Sequence, residues 1–177
     1  PRGLHLHNAQ WAATFVGFAG PSSSWWWDIY VDPLGLWGHT KGLSQLVSGL
    51  DIATMKTDRV LGISQSTSLI LSDTKTVLGW VRHNNFDRSA KTQLLLEAAI
   101  DSLKTKKKIK TTFADPTSKG GKLVLPVSTE GEYLVKTLHT FTGKVVSQKR
   151  TLSSNGFLTV LIPKFTGDIA FRADLVV

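Results

Sequence analysis

Three consecutive tryptophans followed by a carboxylate, Trp25-Trp26-Trp27-Asp28, constrain this chain more than any other feature. Read as a strand, the segment puts Trp25 and Trp27 on one face and Trp26 on the other. Such a strand needs cover on both sides, the situation of a parallel strand in an α/β barrel. A tryptophan-rich core strand satisfies the same pattern. A broad aromatic surface at a strand end, with an acid beside it, also suits stacking on sugar rings.

The flanking sequence extends the pattern. His5-Leu6-His7-Asn8-Ala9-Gln10-Trp11-Ala12-Ala13 reads as the start of a helix that ends near Gly17 and Gly20. An apolar strand from Ser24 to Val31 follows, then the turn Asp32-Pro33-Leu34-Gly35. Leu36, His39, Leu43, Leu46, Val47 and Leu50 recur at helical spacing, which predicts a second, amphipathic helix. Helix, strand and helix in this order form the rhythm of a parallel α/β unit. One parallel strand makes no sheet, so its neighbours are expected from another chain, and this one reads as the C-terminal part of a longer precursor.

Residues 3–52 resemble the end of the catalytic barrel in cellulase-like glycoside hydrolases. The matching positions are Gly3, His5, His7, Asn8, Trp11, Ala12, Ala13, Gly17, Gly20, Trp25, Trp26, Trp27 and Asp28. The C-terminal segment resembles the small β-sandwich that follows such barrels, often labelled a collagen-binding domain. It does so through Gly131-Glu132-Tyr133, Thr142-Gly143-Lys144-Val145-Val146, Leu161-Ile162-Pro163 and Asp168-Ile169-Ala170. The resemblance implies the last strand and flanking helices of a (β/α)8 barrel over residues 1–55, followed by an all-β sandwich over residues 56–177.

The same resemblance exposes an absence. Hydrolases of this kind use two carboxylates on separate barrel strands, yet the first glutamate here is Glu97 and the only acids before position 55 are Asp28, Asp32 and Asp51. No catalytic residue is therefore assigned, and the chain alone is not expected to be a complete glycosidase. Charge changes near the same boundary. Residues 1–55 hold two basic groups, Arg2 and Lys41, against those three acids; the remainder holds the other 19 of 21 basic groups and 10 of 13 acids.

From Val60 onward the patterning is of β type. Short apolar runs cover 67–71 and 77–81, joined at Ser72-Asp73-Thr74-Lys75. Others cover 123–127, 132–139, 144–149, 157–162 and 169–176, with glycine-containing turns among them. Seven or so short strands at this spacing read as a sandwich. Leu94–Lys104 fits a short helix or a strand starting near Gln93; the sandwich favours the strand. The lysines at 104, 106, 107, 108 and 110 read as a solvated loop or strand edge, with an anionic partner as the alternative.

Other chemistries find little footing. Cysteine is absent, which removes disulfides, zinc-thiolate sites and cysteine nucleophiles. His5 and His7 do not share a helical face and lack a third ligand, so no metal site and no cofactor are expected. His39 is expected to pack on the second helix, and His83 and His139 to hold ordinary places in the sandwich. Lys119-Gly120-Gly121-Lys122 lacks the spacing of a phosphate loop. No apolar run approaches the roughly 20 residues of a membrane span. No Asn-x-Ser/Thr sequon is present.

Three functional expectations follow. In the first, the chain completes a glycoside hydrolase-like protein with a partner chain, and Trp25, Trp27, Asp28, His7 and Asn8 form a sugar-binding surface. Asp28 then orients a hydroxyl or braces the strand end. In the second, the chain is a non-catalytic structural or matrix- and glycan-binding component of an extracellular or cell-surface assembly. A nucleic-acid module stands third, since aromatic residues concentrate in 11–37, away from the lysines.

Overall fold

The computed structural model describes residues 3–18, 20–87 and 114–176. The segment Leu94–Lys104 and the lysine cluster that follows it lie outside the described residues.

Antiparallel β-structure dominates. Among the described residues, ten strands follow an N-terminal helical portion: β1 (Lys56–Val60), β2 (Ser66–Ser72), β3 (Thr76–His83), β4 (Thr117–Ser118), β5 (Gly121–Pro126), β6 (Glu132–Leu138), β7 (Val145–Leu152), β8 (Phe157–Ile162), β9 (Phe165–Thr166) and β10 (Asp168–Leu175). Six of them form one sheet in the order β1-β2-β3-β10-β6-β7, while β5 pairs with β8 and β4 with β9. The β2–β3 turn closes on Asp73, whose carboxylate accepts from the backbone N–H groups of Lys75 and Thr76.

One face of the large sheet carries Ile70, Val77, Val81, Tyr133, Val135, Ile169, Phe171 and Ala173. These pack against Leu123, Leu125, Leu158, Val160 and Ile162 of the β5–β8 pair, giving a sandwich-like core. Gly79 lies opposite Phe171 in the β3–β10 register, and a Cβ at that position would collide with the Phe171 ring.

Alternation places Leu71, Leu78, Trp80, Leu138 and Ala170 on the opposite face. This face is covered by two helices, α1 (Leu4–Phe15) and α2 (Thr40–Val47), through Trp11, Phe15, Leu43 and Leu46. Gly42 lets α2 close on the β6–β7 connection, where any Cβ would meet the carbonyl of Thr140. Helical and strand portions thus share a core on either side of the expected boundary at 55/56.

The expectation of a barrel strand with flanking helices is overturned. Trp27–Val31 forms a single π-helical turn, not a strand. Trp26 O accepts from the N–H groups of Tyr30 and Val31, and Trp27 O accepts from Asp32. The reason is local. An isolated strand here would leave its backbone donors and acceptors unpaired, whereas the turn pairs them within the segment. The neighbouring sheets are antiparallel, and the helices lie on the sandwich's own large sheet.

Sequence patterning located the α1 helix and the inner strands closely. Leu36–His39 is a 3-10 turn leading into the shorter α2. Strand β1 was missed because Lys-Thr-Asp-Arg-Val is a polar edge strand with almost no buried face.

Candidate functional site

Two features stand apart from ordinary packing. The first is a buried polar node under α1. Asp168, at the start of β10, is almost fully enclosed. Its Oδ2 accepts from Trp80 Nε1 at 2.7 Å and lies 2.8 Å from His7 Nε2, while its Oδ1 accepts from Thr140 Oγ1 at 2.7 Å. A carboxylate only accepts, so Nε2 is the donor in the His7 pair. The imidazole stacks on Phe141 at 4.0 Å with an interplanar angle of 8°. His39 stands edge-on to both rings.

An aspartate that orients a histidine is also the arrangement of hydrolytic dyads. Here the histidine has no exposed surface, and its Nδ1 has no hydrogen-bond partner. A group so enclosed reaches no substrate, so the node joins α1, β3, β10 and the β6–β7 connection. The satisfied carboxylate explains how a charged group is tolerated there.

The second feature is the tryptophan segment. Trp25, Trp26 and Trp27 are 90%, 62% and 57% exposed, and Ile29 is 71% exposed. Leu34 and Trp37 are also exposed, as are Val16 and Phe18 at the end of α1. Large apolar side chains in such concentration mark an interaction surface. Underneath, Leu6, Val31 and Leu36 form a small buried cluster with Tyr30 against it, which seats the segment on α1. Trp37 Nε1 donates to Asp32 Oδ1 at 2.9 Å, closing the turn that follows Val31. Asp28 is exposed and accepts from the N–H of Ile29.

The residues expected to form one sugar-binding surface therefore divide. Trp25, Trp27 and Asp28 share the exposed segment, and Trp26 joins them instead of pointing into a core. His7 is committed to Asp168. Asn8 donates from Nδ2 to the carbonyl of Phe86 at 2.9 Å. Sequence reading missed Asp168, Thr140 and Trp80 as partners of His7. The available signal was an aspartate opening the terminal strand directly before the apolar run Ile169-Ala170-Phe171.

Among the described residues, no group of three or more His, Cys, Asp or Glu side chains is arranged to hold a metal ion. No described helix is long and apolar enough to cross a membrane. No protein-family model, curated protein or solved structure matches the chain.

Proposed function

We propose that this chain is a docking component of a glycoside hydrolase-like, carbohydrate-active protein of the cell exterior or cell surface, non-catalytic by itself. Its exposed tryptophan segment is the contact for a partner chain that carries the remainder of that protein. One observation carries the reading: Trp25, Trp26, Trp27, Ile29 and Trp37 stand in solvent on a segment seated on α1 through Val31 and Leu36 and closed by the Trp37–Asp32 hydrogen bond. Tryptophans seated in a partner are the residue type that dominates interface energetics. The aliphatic members, Ile29 and Leu34, favour a polypeptide over a sugar, because they add apolar area without a ring face for stacking.

The resemblance of residues 3–52 to the glycoside hydrolases supplies the identity of the partner, and the missing glutamates supply the non-catalytic character. Co-expression with candidate chains that carry two acidic strand ends tests this. Complex formation lost on replacing Trp25, Trp26 and Trp27 together supports it, and complex formation indifferent to that change opposes it.

The high exposure of Trp25 favours a second reading, direct glycan binding by Trp25 and Trp27 with Asp28 as hydroxyl acceptor. In that case neutral oligosaccharides bind the isolated chain, and substitution of Trp25 alone weakens them.

A further inference from the structure

Arg82 and Asp168 are directly opposed across strands β3 and β10, on the sheet face covered by the helices. Opposite charges in that relationship ordinarily pair. Here they do not. The aspartate is occupied by His7, Trp80 and Thr140. The Arg82 guanidinium instead lies over the Trp80 ring, 5.8 Å from its centroid. Among the described residues no carboxylate pairs with it.

This cation lines a groove of about 280 Å³ between α1 and strands β2 and β3. Ala9, Ala12 and Leu69 form its apolar wall, and Asn8 and Thr67 its polar one. Thr67 Oγ1 donates to Asn84 Oδ1, which holds that amide beside the strand ends. The groove thus combines an unpaired planar cation, hydroxyl and amide groups, and an apolar side, in a volume that admits one ring-sized group.

We propose that this groove binds the carboxylate of an acidic sugar, with Arg82 as the partner of the carboxylate. A guanidinium presents a fork of donors that matches a carboxylate in two parallel hydrogen bonds. The Trp80 ring holds that fork in place, so less side-chain freedom is lost when the ligand arrives. The Thr67 hydroxyl, on the groove wall, offers an acceptor for a ring hydroxyl. The carboxylate assignment stands on Arg82 alone; the sugar rests on the carbohydrate reading above. The tryptophan segment plays no part in it.

The test is a titration of the full chain with methyl glucuronide and with methyl glucoside, which differ in a carboxylate against a hydroxymethyl group. It is followed through the indole N–H signals and repeated with acetate. Glucuronide is expected to bind saturably and about tenfold or more tighter than glucoside, the ratio of one charge-assisted pair. Arg82→Gln should abolish that preference, with an unchanged far-ultraviolet dichroism spectrum, and Arg82→Lys should retain part of it. Equal binding of the two glycosides, no saturable binding of glucuronide, or an undiminished preference in Arg82→Gln would each overturn the proposal. Acetate binding as tightly as glucuronide would overturn the sugar assignment. None of these results bears on whether a partner chain docks at the tryptophans, which is read by complex formation alone.

Discussion

His7 and Asp168, separated by 161 positions in the chain, meet at 2.8 Å in a fully buried contact. That contact ties the first helix to the last strand. The same carboxylate also collects Trp80 and Thr140, so it is the point where three parts of the sheet and α1 converge. Removing it strands a buried histidine, an indole N–H and a hydroxyl together. Asp168→Ala should therefore destabilise the chain by roughly 3–5 kcal/mol. Urea unfolding checks the magnitude, and faster amide exchange in α1 locates the damage. Asp168→Asn keeps the shape and an acceptor oxygen and should cost less.

Gly42 offers a contrast between propensity and packing. In an isolated helix, alanine would be favoured over glycine by about 1 kcal/mol. In the folded chain, its Cβ would meet the Thr140 carbonyl, so α2 must shift away from the sheet. Gly42→Ala should destabilise by about 1–3 kcal/mol, the usual cost of overpacking. Thermal unfolding measures the sign: a stabilised variant would mean that α2 does not close on the β6–β7 connection.

Tyr133 sits in the sandwich core and donates its hydroxyl to the carbonyl of Thr129 at 2.7 Å. Burial, with a further contribution from the Asp73 charge, raises its pKa above the ordinary value of 10.0. The unfolded chain then loses the phenol proton before the folded chain does. Stability from this group is complete below pH 10.0 and is lost as pH rises through the folded value. Tyr133→Phe should flatten that alkaline decline and, at neutral pH, cost about 0.5–1.5 kcal/mol for the hydrogen bond. Unfolding curves across the alkaline range, compared between the two chains, show both effects.

How much of this was legible in the sequence depends on what each segment contacts. Strands β2, β3, β6, β8 and β10 carry buried positions in quantity, and their apolar runs announced them. Strand β1 has almost no buried face and gave no signal. Ser24–Val31 gave the wrong one. Its apolar character was read as burial in a sheet, but periodicity cannot distinguish residues buried in the chain's own core from residues held out for something else. Placing Asp168 against His7 required the strand order β3-β10-β6, which no local pattern encodes.

Because the tryptophans contribute little to the chain's own core, they should be dispensable for folding. Trp25→Ala and Trp27→Ala should each change stability by no more than about 0.5 kcal/mol, as at other exposed sites. Trp11→Ala, at a fully buried position, should cost about 3–5 kcal/mol. Chemical denaturation of the three variants makes the comparison, and a large loss for Trp25 or Trp27 would show that these rings support the fold.

The central claim is that the tryptophan segment is a contact for a partner chain. Native mass measurement of this chain as isolated from its source, with sequencing of whatever accompanies it, tests that most directly. The account predicts a stoichiometric partner with glycoside hydrolase-like sequence, released when Trp25, Trp26 and Trp27 are replaced together. A chain that is isolated alone, with those tryptophans open to aqueous quenchers, would contradict it.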